Sequence, residues 1–154
     1  MTIVKMNKDT PFTDYYDDGS IEEEGTFNRN GEKHGKSIRY FTTGEKQFEG
    51  TYVNGAIDGE WRWYFKSGNI DRIGINKGDD WDGKFTKYYE NGNIEQEVIW
   101  VGGCPEEITD YDEDGNLVTK WKPVEKTKPK KKGNWECIVP PCDFIDEDGN
   151  LIED

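Results

Sequence analysis

Glycine recurs along this chain at nearly fixed intervals. Gly19, Gly44, Gly68, Gly92 and Gly115 are separated by 25, 24, 24 and 23 residues, and related sequence surrounds each. The middle copy reads Gly59-Glu60-Trp61-Arg62-Trp63-Tyr64-Phe65-Lys66-Ser67-Gly68. It is matched upstream by Gly35-Lys36-Ser37-Ile38-Arg39-Tyr40-Phe41-Thr42-Thr43-Gly44 and downstream by Gly83-Lys84-Phe85-Thr86-Lys87-Tyr88-Tyr89-Glu90-Asn91-Gly92. A unit of this length cannot bury its own apolar face, so it must lie against its neighbours, and the fold is decided by stacking.

Within each unit, about six residues end in two aromatics, a polar turn closes on glycine, and a second run follows. Aromatics suit pleated surfaces and Asn-Gly pairs suit tight turns that need positive φ, so each unit reads as strand, turn, strand. Asn30-Gly31, Asn54-Gly55 and Asn91-Gly92 are such pairs. The segments Gly31 to Gly35 and Gly55 to Gly59 are expected to be the loops that link one hairpin to the next. Helical periodicity is absent. The expected fold is all-β, a single-layer twisted antiparallel meander of stacked hairpins.

The chain is 154 residues long, 32% apolar and 34% charged. Those values alone lean toward disorder, but 14% aromatic residues argue for a folded, thin, aromatic core. A net charge of −13 disfavours general nucleic-acid binding, which needs clustered Lys and Arg, and favours basic partners. No apolar run approaches the roughly 20 residues of a membrane span. Residues 1–9 lack the apolar stretch of a secretory signal, so a cytoplasmic location is expected, in a host cell if the gene is a phage's. Cys104, Cys137 and Cys142 form neither an even framework nor a metal spacing and are expected to be reduced thiols. With one histidine, no metal site or cofactor is expected.

Five regions follow: an N-terminal arm (1–11), four hairpin repeats (12–103), a degenerate repeat or cap (104–121), a basic linker (122–134) and an acidic tail (135–154). Residues 122–132 carry six lysines against one glutamate, while residues 133–154 carry seven acids and no base. Prolines and like charges mark the linker as extended.

The pattern Tyr-Tyr/Phe-x-x-Gly, then x-x-x-x-x-Gly-x-Tyr-x-Asn-Gly, then x-x-x-Gly-x-Trp is fullest from Tyr40 to Trp61. It resembles the MORN repeat, and more closely the short bacterial variant common in small proteins described as antitoxins of toxin–antitoxin systems. The likeness covers about residues 12 to 103. It implies a ribbon of stacked β-hairpins; arrays of this kind elsewhere serve as protein-binding scaffolds or lipid-surface contacts. The chain from Cys104 onward departs from the pattern, and nothing about it carries over.

Alternate side chains of a strand share a face, which sets Trp61, Trp63 and Phe65 on one side with Arg62 and Tyr64 on the other. The repeat phase brings Ser37, Arg39 and Phe41 to one flank and Phe85, Lys87 and Tyr89 to the other. A face mixing aromatics with cations has the composition of a binding hot spot. The competing reading is that the rings pack edge to face as the core. That reading is preferred for Phe65; for Trp61 and Trp63 the polar phase equivalents Ser37 and Arg39 argue against it. The expected partner-binding set is therefore Trp61, Trp63, Phe65, Arg39, Phe41, Phe85, Lys87 and Tyr89.

Other motifs resolve to simpler roles. His34 is in phase with Asp58 and Asp82, each before a glycine, and reads as a turn residue. Asp110-x-Asp112-x-Asp114-Gly115 copies the start of an EF-hand loop, but Trp121 stands where a bidentate Glu is required, so it reads as a turn. No nucleophile elbow or second histidine is present, and catalysis is not expected. The lysine run 126–132 reads as a solvated linker. The apolar tail residues Trp135, Ile138, Val139 and Phe144 are expected to dock, either on the repeats as an added strand or on a partner. The expected function is occlusion of a protein partner, as by an antitoxin, immunity protein or phage-type inhibitor; a basic toxin or nuclease suits the charge. The alternative is a self-associating structural part of a virus particle or membrane-associated scaffold.

Overall fold

The computed structural model describes residues 9–122, which form one sheet of ten antiparallel strands in sequence order. They are β1 (Thr10–Tyr15), β2 (Ile21–Phe27), β3 (Gly35–Tyr40), β4 (Lys46–Val53), β5 (Ala56–Tyr64), β6 (Ile70–Lys77), β7 (Asp80–Tyr88), β8 (Ile94–Val101), β9 (Cys104–Tyr111) and β10 (Leu117–Trp121). The sheet is a single layer. Among the described residues only Trp61 and Val98 are buried hydrophobic side chains, at 2% and 4% exposed.

The recurring glycines close five alike turns. The N–H of Tyr16, Phe41, Phe65, Tyr89 and Asp112 donates to the carbonyl four residues on, and each accepts a bond from the N–H of the repeat glycine. Those five glycines lie at φ +85° to +93°, the left-handed region that side chains with a Cβ avoid. Phe41, Phe65 and Tyr89 therefore open turns and are not strand residues, because the chain reverses one residue earlier than alternation suggests.

The linking segments are shorter than expected. Asn54-Gly55 lies at φ +51° and +85°, a two-residue turn with both central residues left-handed, whose geometry matches the twist of a hairpin. Val53 consequently pairs with Ala56, and Ala56 to Gly59 belong to β5. Gly78-Asp79 and Gly102-Gly103 repeat the device. The first link turns at Asn28–Gly31, and a Phe27–Lys33 bridge resumes pairing before Gly35. Residues 104–121 form a fifth hairpin, β9–β10, paired onto β8. Cys104 is disulfide-bonded, which corrects the expectation of a reduced thiol there.

Each link hooks onto the next. His34 Nδ1 accepts the Asn54 N–H at 3.2 Å, and Asp82 Oδ1 accepts the Gly102 N–H at 3.4 Å, one repeat position used twice as a turn acceptor. Asp112 accepts the N–H groups of Asp114 and Asn116. Bonds from the Asn116 side chain and backbone hold its carboxyl below the usual range, so the EF-hand-like run closes a hairpin.

Candidate interaction face

Cross-strand pairing sorts the side chains. Glu23, Arg39, Phe48, Trp63, Arg72, Lys87, Gln96 and Asp110 stand opposite one another across β2 to β9 and share one face. The next row on that face is Gly25, Ser37, Gly50, Trp61, Gly74, Phe85 and Val98. Rings lie over the glycines of this row. A Cβ at Gly50 would collide with the Trp61 indole, one at Gly74 with Trp81, and one at Gly25 would stand 2.8 Å from Phe12. Phe48, Trp61, Trp63, Trp81 and Phe85 then run as a ladder with neighbouring centroids 5.0–6.0 Å apart, and Tyr52 stands edge-on to Trp61 at 5.0 Å.

This packing corrects the phase argument for Trp61. It is a core residue whose Nε1 donates to the Thr51 carbonyl at 3.1 Å. Its phase equivalent Ser37 is also buried, at 2% exposed, although polar. The space on either side of Ser37 is taken by Phe12 over Gly25 and Trp61 over Gly50, so only a small residue fits. Its hydroxyl donates to Glu23 at 2.7 Å. Glu23 is buried in turn and paired with Lys33, whose ammonium lies 5.5 and 5.4 Å from the Phe12 and Tyr52 rings.

Trp63 and Arg39 remain half-buried in the outer row, together with Phe48 and Lys87, while Arg72 is exposed. Phe48 and Trp63 form its centre, flanked by Arg39 on one side and by Arg72 and Lys87 on the other. The Arg72 guanidinium sits 5.7 Å from the Trp63 ring. Pairing slips by one residue near every five-residue turn, and at three of the five the extra residue is acidic, Glu22, Asp71 and Glu95. Each supplies the carboxylate for a cation of this row: Glu22 to Arg39, Asp71 to Arg72 at 2.9 Å, and Glu95 to Lys87 at 2.7 Å. Exposed pairs of this kind contribute only about 0–1 kcal/mol and exchange readily with a partner's charges. Of the expected set the structure thus groups Trp63, Arg39 and Lys87, places Phe85 against Trp81 beneath them, and sets Phe41, Phe65 and Tyr89 along the turn edge. Phe48, Trp81 and Arg72 were not expected; the signal for Phe48 and Arg72 was their position in the return strand opposite Arg39 and Trp63. Trp135, Ile138, Val139 and Phe144 lie outside the described residues.

The reverse face combines tyrosine–carboxylate pairs with exposed aliphatic side chains, Val53, Ile75, Ile99 and Val101. Tyr40 donates to Glu24 at 2.9 Å, Tyr64 to Glu49 at 2.6 Å and Tyr111 to Glu97 at 3.3 Å, one pair in each of three repeats. Ile73 takes the fourth carboxylate's place. The Tyr64 bond holds Glu49 far below the usual carboxylate range, to about 2, with Lys46 and Lys36 contributing against the opposing effect of burial. Burial raises the Tyr40 and Tyr64 hydroxyls, and their carboxylate partners add to the rise.

A one-layer antiparallel ribbon of stacked hairpins with one aromatic face defines a repeat scaffold. The family model described as a MORN repeat variant matches residues 8–29, 33–54, 57–75 and 81–101. The chain belongs to this family, whose repeats are commonly protein- or membrane-binding modules. No curated protein matches it. No helix among the described residues is long and apolar enough to cross a membrane.

Proposed function

We propose that this protein is a non-catalytic module acting inside the cell, which binds and occludes a protein partner through the Phe48–Trp63 centre of the aromatic face. The observation that carries this reading is that a row of half-buried rings, flanked by arginines, has no second layer over it among the described residues. Aromatic and arginine anchors dominate protein interfaces. The cations of the row are already matched by Glu22, Asp71 and Glu95, so the surplus field is negative, and a basic partner is the one it would steer. An antitoxin, immunity or inhibitor role fits such occlusion.

The test compares capture from lysate by wild type, by Trp63→Ala/Arg72→Ala and by the reverse-face control Arg62→Ala. Loss of one basic protein in the double variant alone, with the circular dichroism spectrum intact, supports the reading; equal capture by all three refutes it. A second reading, a self-associating scaffold, is favoured by β10, which pairs on one side only among the described residues and carries Leu117 and Val118 at 60% exposed. Concentration-dependent oligomers abolished by Leu117→Lys/Val118→Lys would select it.

A further inference from the structure

Three Asn-Gly pairs stand in turns of the sheet, Asn30-Gly31, Asn54-Gly55 and Asn91-Gly92. Glycine puts no side chain beside its own nitrogen, so that nitrogen can reach the carboxamide carbon of the asparagine before it. Asparagine is thermolabile for this kind of reason. In a folded chain the attack depends on what holds the side chain and the glycine nitrogen in place.

Two of the pairs occupy the same turn. Asn28 donates its N–H to the Glu32 carbonyl at 2.8 Å and its carbonyl accepts the Gly31 N–H at 3.0 Å; Tyr89 donates to the Asn93 carbonyl at 2.8 Å and accepts the Gly92 N–H at 2.9 Å. Each five-residue turn thus has asparagine third and glycine fourth, the glycines at φ +79° and +90°. The glycine nitrogens are held alike, but the carboxamides are not. Asn91 Nδ2 donates to the Glu113 carbonyl at 2.9 Å and its Oδ1 accepts the Asn93 N–H at 2.8 Å, so it is tied at both ends. In the Asn28–Glu32 turn the corresponding N–H, that of Glu32, goes instead to Asn28 Oδ1 at 3.0 Å, which also takes the Asn30 N–H at 2.9 Å. Asn28 has taken over the acceptor's place. The exposed Asn30 carboxamide is left without a hydrogen bond among the described residues.

The third pair is restrained differently. Asn54 lies at φ +51°, its Oδ1 accepts from Asn28 Nδ2 at 3.1 Å, and the Gly55 N–H donates to the Lys33 carbonyl at 2.8 Å. Of the three carboxamides, therefore, only that of Asn30 can turn toward the following nitrogen without giving up a hydrogen bond of its own.

We propose that Asn30 is a site of spontaneous deamidation through a cyclic imide. The Gly31 nitrogen gives its proton to hydroxide and attacks Asn30 Cγ. A new C–N bond forms, the bond to Nδ2 breaks, and ammonia leaves with a proton from water, which regenerates the hydroxide. Water then opens the ring at either carbonyl, giving aspartate or isoaspartate at position 30 with no change of oxidation state. Isoaspartate adds a methylene to the backbone inside the turn that the bond from the Gly31 N–H to the Asn28 carbonyl closes, so the turn opens. That turn leads to Lys33, which neutralises the buried Glu23. The modification loosens the first link and is independent of the partner-binding reading.

The test is peptide mapping by mass spectrometry after incubation of the full chain at pH 6 and pH 8, folded and in guanidinium chloride. In the folded protein Asn30 should convert about tenfold faster than Asn91, whose two ties must break first, and faster than Asn54. The product should be a mixture of aspartate and isoaspartate, and the rate should rise with pH because the glycine nitrogen must lose its proton. In guanidinium chloride the three sites should converge. Equal rates at the three sites of the folded protein, or a faster rate at Asn54 or Asn91, overturns the proposal. So does conversion of Asn30 to aspartate alone, which would be direct hydrolysis without the ring. A ranking that persists in guanidinium chloride also overturns it, since the sequence and not the fold would then set the rates.

Discussion

Replacing Tyr64 by Phe isolates the strongest polar contact of the reverse face. The hydroxyl donates to Glu49 at 2.6 Å, and Lys46 and Lys36 approach the second carboxylate oxygen at 3.0 and 3.1 Å. Together they hold Glu49 at about 2, with the Tyr64 bond the largest cause. Each tenfold change in proton affinity is about 1.36 kcal/mol, so the depression caps the carboxylate's contribution at about 3 kcal/mol. Both lysines are open to solvent, and screening reduces the figure to about 1–2 kcal/mol. The Tyr64 bond should supply about 1 kcal/mol of it. Because the folded-state value is depressed, the unfolded chain binds the proton more readily. The stabilisation is therefore full above the unfolded-state value of about 4.3 and drains as pH falls toward 2. Urea unfolding of wild type and Tyr64→Phe at pH 7, 4 and 2.5 should give a deficit of about 1 kcal/mol at pH 7 that falls by more than half at pH 2.5. A deficit that is the same at all three values would refute the argument, since it would come from lost packing and not from the ionised pair.

Trp61→Ala should cost about 3–5 kcal/mol and Trp63→Ala about 1–2 kcal/mol in urea unfolding, because one indole is buried over Gly50 and the other is half-buried; equal costs would contradict the assignment of Trp61 to the core. Gly74→Ala should cost about 2–3 kcal/mol by driving a Cβ into the Trp81 indole, whereas Gly68→Ala, with open space but φ +87°, should cost about 1–2 kcal/mol. Adding Trp81→Ala should recover part of the first loss and none of the second, as read from thermal melts.

The period and the turns were legible because they rest on local chemistry: a glycine at positive φ leaves its mark at every return of the chain. The single-layer meander followed from that spacing. What alternation could not reveal was which side chain covers which strand. Trp61 lies over Gly50 on β4 and Trp81 over Gly74 on β6, so the residue that decides burial is a cross-strand neighbour, not the phase equivalent 24 residues away. Ser37 shows the same effect from the other side, as a small polar residue buried because two neighbouring rings leave no room. The turn-opening places of Phe41, Phe65 and Tyr89 were missed because each strand ends at the first of the paired aromatics, where the ladder slips by one residue. Pairing of Tyr64 with Glu49 was illegible for a different reason: the two are 15 residues apart, and carboxylates are too abundant in this chain for any one pair to stand out.

The two faces divide the requirements of a one-layer fold. On the reverse face, tyrosine hydroxyls, carboxylates and lysines satisfy one another in three repeats, beside exposed Val53, Ile75, Ile99 and Val101. On the aromatic face, stability comes from rings laid over glycines: Phe12 and Trp81 stay half-buried there, while Trp61 is enclosed by Phe48, Tyr52 and Trp63. At Val98 the glycine is replaced, no ring is laid down, and the ladder stops at Phe85. Stability in such arrays is close to a sum of neighbour terms. The ring ladder thus runs through β4 to β7, and the proposed recognition through Trp63 would draw on residues that already hold those strands together.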